Sequence, residues 1–167
     1  GERGGGRGGD PGVLGVAAGV APRRGERAGE AGDEQERDRG GRDRGRGERR
    51  EEGGQRVADA INKSGGSALF VKTDVGSEAS AKACAQAAMD RFGAINYLIN
   101  NAAIFGDMKI EGYMNVDMDY LEKFMRINAH GCVIMTRAVV DHMTAAGGGA
   151  IINQSSTAAW MSTGFYG

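Results

Sequence analysis

Eleven residue types are missing from the first 54 positions of this 167-residue chain: Ser, Thr, Asn, Lys, Ile, Phe, Tyr, Trp, Met, Cys and His. Apart from VLGVAAGV at 13–20, nothing in that stretch can bury itself and offset its chain entropy, so disorder is expected there. Other absences bound the whole chain. A membrane-spanning helix needs a run of about 18 apolar residues, and none is present. The opening GERGGGRGGD has no apolar stretch behind it, so no secretory signal is expected. A formal net charge of -1 gives no electrostatic reason for nucleic acid or an anionic membrane as a partner. The two cysteines, Cys84 and Cys132, lie in apolar helical patterns without CxxC spacing or a nearby histidine pair. They read as buried free thiols in a reducing, cytoplasmic setting, and not as a disulfide or a metal site.

Residues 1–54 are instead written in nine residue types: Gly, Glu, Arg, Asp, Pro, Val, Leu, Ala and Gln. Three readings compete for this segment. One is a flexible mixed-charge tail. Another is single-strand binding, suggested by Arg3-Gly4-Gly5, Arg7-Gly8-Gly9 and Arg39-Gly40-Gly41. Against it, 12 basic residues are matched by 12 acidic ones and no aromatic is available to stack on a base. The third is an out-of-frame translation, because all nine types can be written with codons beginning in G or C. An abrupt change of composition near Gln55 fits that last reading better than a domain linker. Gly4-Gly5-Gly6-Arg7-Gly8-Gly9 satisfies GxGxxG, but no strand precedes it and no amphipathic helix follows, so it is not a dinucleotide fingerprint.

Residues 55–167 have ordinary periodicity. Helical spacing runs from Arg56 to Asn62 and ends at Ser64-Gly65-Gly66, followed by a short strand from Ala68 to Lys72. Glu78 to Phe92 is helical, with Ala81, Cys84, Ala85, Ala88, Met89 and Phe92 on one face and Gly93 as its stop. Ile95 to Ile99 is an apolar strand, Asp117 to about Ala145 a helix interrupted at Asn128 and Gly131, and Ala150 to Gln154 a third strand. This alternation, without hairpin signals, predicts an α/β domain with parallel strands and crossover helices.

Parallel sheets bind ligands at the carboxyl ends of their strands. All three strands end in polar or small residues: Asp74, then Asn100-Asn101-Ala102-Ala103, then Ser155-Ser156. Two adjacent asparagines are a poor way to end a strand unless something lies against them.

Asp74-Val75 after one strand, Asn101-Ala102-Ala103 after the next, Asn128 in a helix, Ser155-Ser156 after a third strand and then Tyr166 together resemble the short-chain dehydrogenase/reductase family, over about residues 55–167. The resemblance implies an incomplete Rossmann-like, doubly wound parallel sheet. It also implies NAD or NADP as cofactor, an alcohol or carbonyl substrate, and a homo-oligomeric parent. By the same resemblance, Asp74 meets the adenine ring with the Val75 backbone beside it, although Asp74 also reads as a helix N-cap. Asn101-Ala102-Ala103 lines the cofactor, with Ala103 where the family has glycine. Asn128, otherwise a residue on a solvated side, kinks its helix and holds a water in the proton relay. Ser156, with Ser155 as the one-register alternative, is the serine that polarises the substrate oxygen, and Tyr166 is the acid-base tyrosine.

A tyrosine ordinarily titrates near pH 10, roughly three units above neutrality, and the family assists it with a lysine four residues later. That lysine would fall beyond Gly167, and the family's Thr-Gly-x-x-x-Gly-x-Gly turn is not found in residues 1–54. The expectation is therefore that the 167-residue chain does not turn over substrate although its parent does. A reading from another class is a non-catalytic fragment or interaction protein with an Arg/Gly-rich tail. Elsewhere Met135 and Met143 fall at core positions, and His130 and His142 read as surface or capping residues. The stretch from Phe105 to Val116, together with Trp160 and Phe165, either walls the substrate side or packs locally.

Overall fold

Helix formers, strand formers and turn residues alternate along the second half of the chain, and the elements follow them closely. The computed structural model describes residues 14–19, 44–105 and 112–160. The chain divides between Lys72 and Thr73 into two units.

In the first unit, strand β1 (Leu14–Gly19) and strand β2 (Ala68–Thr73) form a two-stranded sheet, and helix α1 (Arg44–Lys63) lies between them in sequence. Asn62 fixes the entry to β2. Its Nδ2 donates to the Ala68 carbonyl at 3.1 Å and its Oδ1 accepts from the Ala68 N–H at 2.8 Å. Two of these elements depart from expectation. Helix α1 starts at Arg44 instead of Arg56, and β1 occupies part of the VLGVAAGV segment. The added turns of α1, residues 44–55, hold four Arg and three Glu but also four Gly and no apolar residue, so neither propensity nor periodicity registers them. The rest of the segment for which disorder was expected, residues 1–13 and 20–43, lies outside the described residues.

The second unit contains helix α2 (Glu78–Phe92), strand β3 (Tyr97–Asn100), helix α3 (Met118–Met125), a π turn (Arg126–His130), helix α4 (Gly131–Ala145) and strand β4 (Ala150–Asn153). Gly93 ends α2 in the left-handed conformation, as the sequence indicates, and Ser77 caps its start. Of the expected apolar face of α2, Ala81, Cys84, Ala85 and Ala88 are buried, with Met89 and Phe92 half-buried. Both cysteines are free. Strands β3 and β4 pair in parallel from Tyr97 opposite Ala150 to Asn100 opposite Asn153, so the expected parallel α/β arrangement is present.

The turn after β2, α2, β3, the π turn and α4 together build one core: Val75, Ala81, Ala85, Leu98, Ile127, Ile134, Met135, Val139 and Met143. Gly131 opens α4 because a side chain there has no room: a Cβ would lie 2.9 Å from Val75 Cγ2. Strand β3 alternates as a sheet with one covered face must. Leu98 and Asn100 are buried, whereas Tyr97 and Ile99 are 65% and 64% exposed. Ile151 and Ile152 of β4 are exposed as well, so the β3–β4 pair carries open apolar surface.

This asymmetry gives a paired expectation. Leu98→Ala should lower unfolding stability by about 2–4 kcal/mol, whereas Ile99→Ala should cost less than about 1 kcal/mol, as read by urea denaturation. In the same assay Gly131→Ala should cost about 1–3 kcal/mol by forcing α4 off Val75.

Candidate active site

Each strand end is held by a different device. After β2 the chain turns through Asp74-Val75-Gly76-Ser77. Asp74 donates its backbone N–H to Ser80 Oγ at 2.9 Å, and its Oδ1 accepts from the Gly76 N–H at 2.8 Å. The helix cap is Ser77, whose side chain accepts from the Ser80 N–H at 3.4 Å. Asp74 is thus not the N-cap of α2; it braces its own turn and remains half-exposed at the strand end. Val75 is buried against Gly131.

The doubled asparagine after β3 divides into two tasks. Asn100 is buried, and its Nδ2 donates to Asn153 Oδ1 at 2.8 Å and to the Cys132 carbonyl at 3.5 Å. It ties β3 to β4 and to α4. Asn101 and Ala103 are exposed, and Ala102 packs half-buried against the core. The segment therefore has a fixed inner side and an open outer side with small side chains.

Behind it stands Asn128, half-buried in the π turn. Its Oδ1 accepts from the Ile104 N–H at 2.8 Å and its Nδ2 donates to the Ile104 carbonyl at 3.3 Å. The Asn128 carbonyl, displaced from regular helical bonding, faces Cys132 Sγ at 3.7 Å. A single π turn inside an α-helix is often found where a helix serves a site. The expected interruption at Asn128 is therefore a change of winding, and Asn128 faces Ile104 instead of solvent.

Beyond β4, the Gln154 N–H donates to the Asn100 carbonyl at 2.9 Å, carrying the pairing one residue further. Ser155 and Ser156 follow, both exposed, and a 3-10 turn at Thr157–Trp160 begins next. Parallel register brings Asn101 and the two serines to the same end of the sheet. Trp160 is 90% exposed. Tyr166 and Phe165 lie outside the described residues, as does the middle of the Phe105-to-Val116 stretch.

Sequence reasoning did not single out Ser80, Gly76 or Arg126, whose Nε donates to the Gly76 carbonyl at 2.7 Å. Asp74, Ser77 and Ser80 recur at intervals of three around a helix start, which is the one local signal for the first of them. Removing the Asn128 amide leaves both polar groups of Ile104 without their partner. Asn128→Ala should cost about 1–3 kcal/mol by urea denaturation, and amide exchange at Ile104 should speed up.

A sequence model of the short chain dehydrogenase family matches residues 46–166, beginning inside the segment of restricted composition. Over 100 residues the chain is 53% identical to an uncharacterized oxidoreductase of Mycobacterium tuberculosis, an alignment covering 60% of this chain and 40% of that protein. It is 37% identical over 90 residues to 2-(R)-hydroxypropyl-CoM dehydrogenase of Xanthobacter autotrophicus, covering 54% of this chain and 36% of that one. A solved structure of 7 alpha-hydroxysteroid dehydrogenase, complexed with NADH and 7-oxo glycochenodeoxycholic acid, superposes with a TM-score of 0.62 at 26% identity. That superposition covers 68% of this chain and 43% of the other. The match thus spans about 40% of the length of the M. tuberculosis relative. With the family match running through Asp74, Asn101, Asn128, Ser156 and Tyr166, and with β3 and β4 paired in parallel ahead of the second and fourth of these, the chain belongs to the short chain dehydrogenase family.

Proposed function

We propose that this chain carries the central part of an NAD(P)-dependent oxidoreductase acting on a small alcohol or carbonyl compound. The observation that supports this most directly is the common strand end. In-register pairing of β3 with β4 sets exposed Asn101 beside the serines, and Asn128 grips the segment from behind.

The residues present fit the cofactor's adenosine half. A half-exposed carboxylate at Asp74 sits on a braced turn and can accept from an adenine amino group. Asn101-Ala102-Ala103 offers small side chains where a ribose would lie close to the backbone. When bound, the nicotinamide supplies the hydride chemistry. The chain's own part is to hold position and move a proton. Ser156 Oγ donates to the substrate oxygen, Tyr166 Oη gives or takes the proton on that oxygen, and Asn128 keeps the 101–104 segment in place. Two free cysteines, with Cys84 buried, support a reducing cytoplasmic setting. Among the described residues no helix is long and apolar enough to cross a membrane.

The test is nicotinamide absorbance with a panel of alcohols and ketones, using the enzyme that carries this segment. Tyr166→Phe and Ser156→Ala should each lower kcat by about 10²–10⁴ while leaving NADH binding within about a factor of a few. Turnover that survives Tyr166→Phe at the wild-type rate would contradict the assignment. Re-reading the nucleotide sequence in the other two frames, for the glycine-rich turn, separately tests the out-of-frame reading of residues 1–54.

A further inference from the structure

The π turn touches two strand ends at once. Asn128 grips Ile104, beyond β3. Two residues earlier, Arg126 Nε donates to the Gly76 carbonyl at 2.7 Å, beyond β2. Gly76 is itself the residue whose N–H binds Asp74 Oδ1, so the arginine holds the far side of the turn that aims the carboxylate. The packing there is tight. A Cβ on Gly76 would lie 3.1 Å from Arg126 Cγ, 3.1 Å from Ile127 Cδ1 and 3.2 Å from Asp74 Oδ1.

We propose that Arg126 is a positioning residue for the cofactor, clamping the Asp74–Ser77 turn through the Gly76 carbonyl so that one π turn sets the spacing between the adenine-side turn and the 101–104 segment. The proposal rests on the reading of Asp74 as the adenine-side acid. Its chemistry is specific. The bond comes from Nε, not from the terminal nitrogens, and a charged donor to a backbone carbonyl is stronger than a neutral one. Glutamine carries an N–H donor at the same number of bonds from the backbone. Methionine keeps the length of the stem but offers no donor. The two substitutions therefore separate hydrogen bonding from packing.

The experiment compares the wild-type chain with Arg126→Gln, Arg126→Met and Asp74→Asn, measuring backbone amide exchange by NMR and NADH affinity by fluorescence titration. Arg126→Met should accelerate exchange at the Asp74, Gly76 and Ser77 amides by about tenfold and weaken NADH by a similar factor. Ile104, held by Asn128, should exchange at its wild-type rate and so report that the fold is intact. Arg126→Gln should restore both readouts. Unchanged exchange in Arg126→Met, or a glutamine variant that behaves like methionine, overturns the clamp. Faster exchange with undiminished NADH affinity overturns its role in cofactor binding. If Asp74→Asn leaves NADH affinity unchanged while Arg126→Met weakens it, the reading of Asp74 fails but the clamp stands. Absence of NADH binding by the wild-type chain counts against the site itself and, with it, against positioning.

Discussion

The side-chain amide of Asn128 occupies both backbone polar groups of Ile104, and most of what is legible about the site depends on that grip. A segment leaving the carboxyl end of a strand loses its ladder partners and must find others or face solvent. Here the partner is a single asparagine on a helix that has been rewound to present it. The π turn adds a residue to the helix, which puts Asn128 toward the sheet while Ile127 and Gly131 stay in contact with the core and Val75. Asn62 uses the same device at Ala68, ahead of β2. A carboxamide suits this task because it carries one donor and one acceptor side by side, as the peptide group does.

Around that grip the remaining bonds divide between holding and exposing. Asn100 is consumed internally by Asn153 and Cys132, so the neighbouring Asn101 is the one left at the surface. Ser80 and Gly76 fix the Asp74 turn, and the carboxylate stays half-exposed. Such division is what pre-organisation looks like at the level of single residues. The groups proposed to meet the cofactor are carried by backbone that other residues have already immobilised, which would leave less ordering to be done on binding.

Helix α2 was legible from the sequence to its last residue, because a small-residue stripe at helical spacing and a glycine stop agree, although the cap proved to be Ser77 instead of Asp74. Strands β2, β3 and β4 were legible to within one or two residues, whereas β1 was not expected, and the ends of the three pointed to the candidate site through Asp74, Asn101 and Ser156. Three things were not legible. The first half of α1 mixes charged residues with four glycines and has no apolar stripe, so it offered neither propensity nor periodicity to find. The Asn100 bond to Asn153 spans 53 residues, and a cross-strand carboxamide pair leaves no local trace. Arg126 reads as an ordinary surface charge, since its partner is a backbone carbonyl fifty positions away and every residue has one of those. The family pattern likewise pointed to Tyr166, which the described residues do not reach.

The central proposal is that the Asp74–Ser77 turn and the 101–104 segment, both held by the π turn, form one cofactor-binding edge. Titrating the isotope-labelled chain with NADH and following backbone amide shifts tests it most directly. Perturbations concentrated at residues 74–77 and 101–104, with the exposed face of β3 and β4 unmoved, are the result expected. Shifts centred on Tyr97, Ile99 and Ile152, with the two strand-end segments silent, would contradict it.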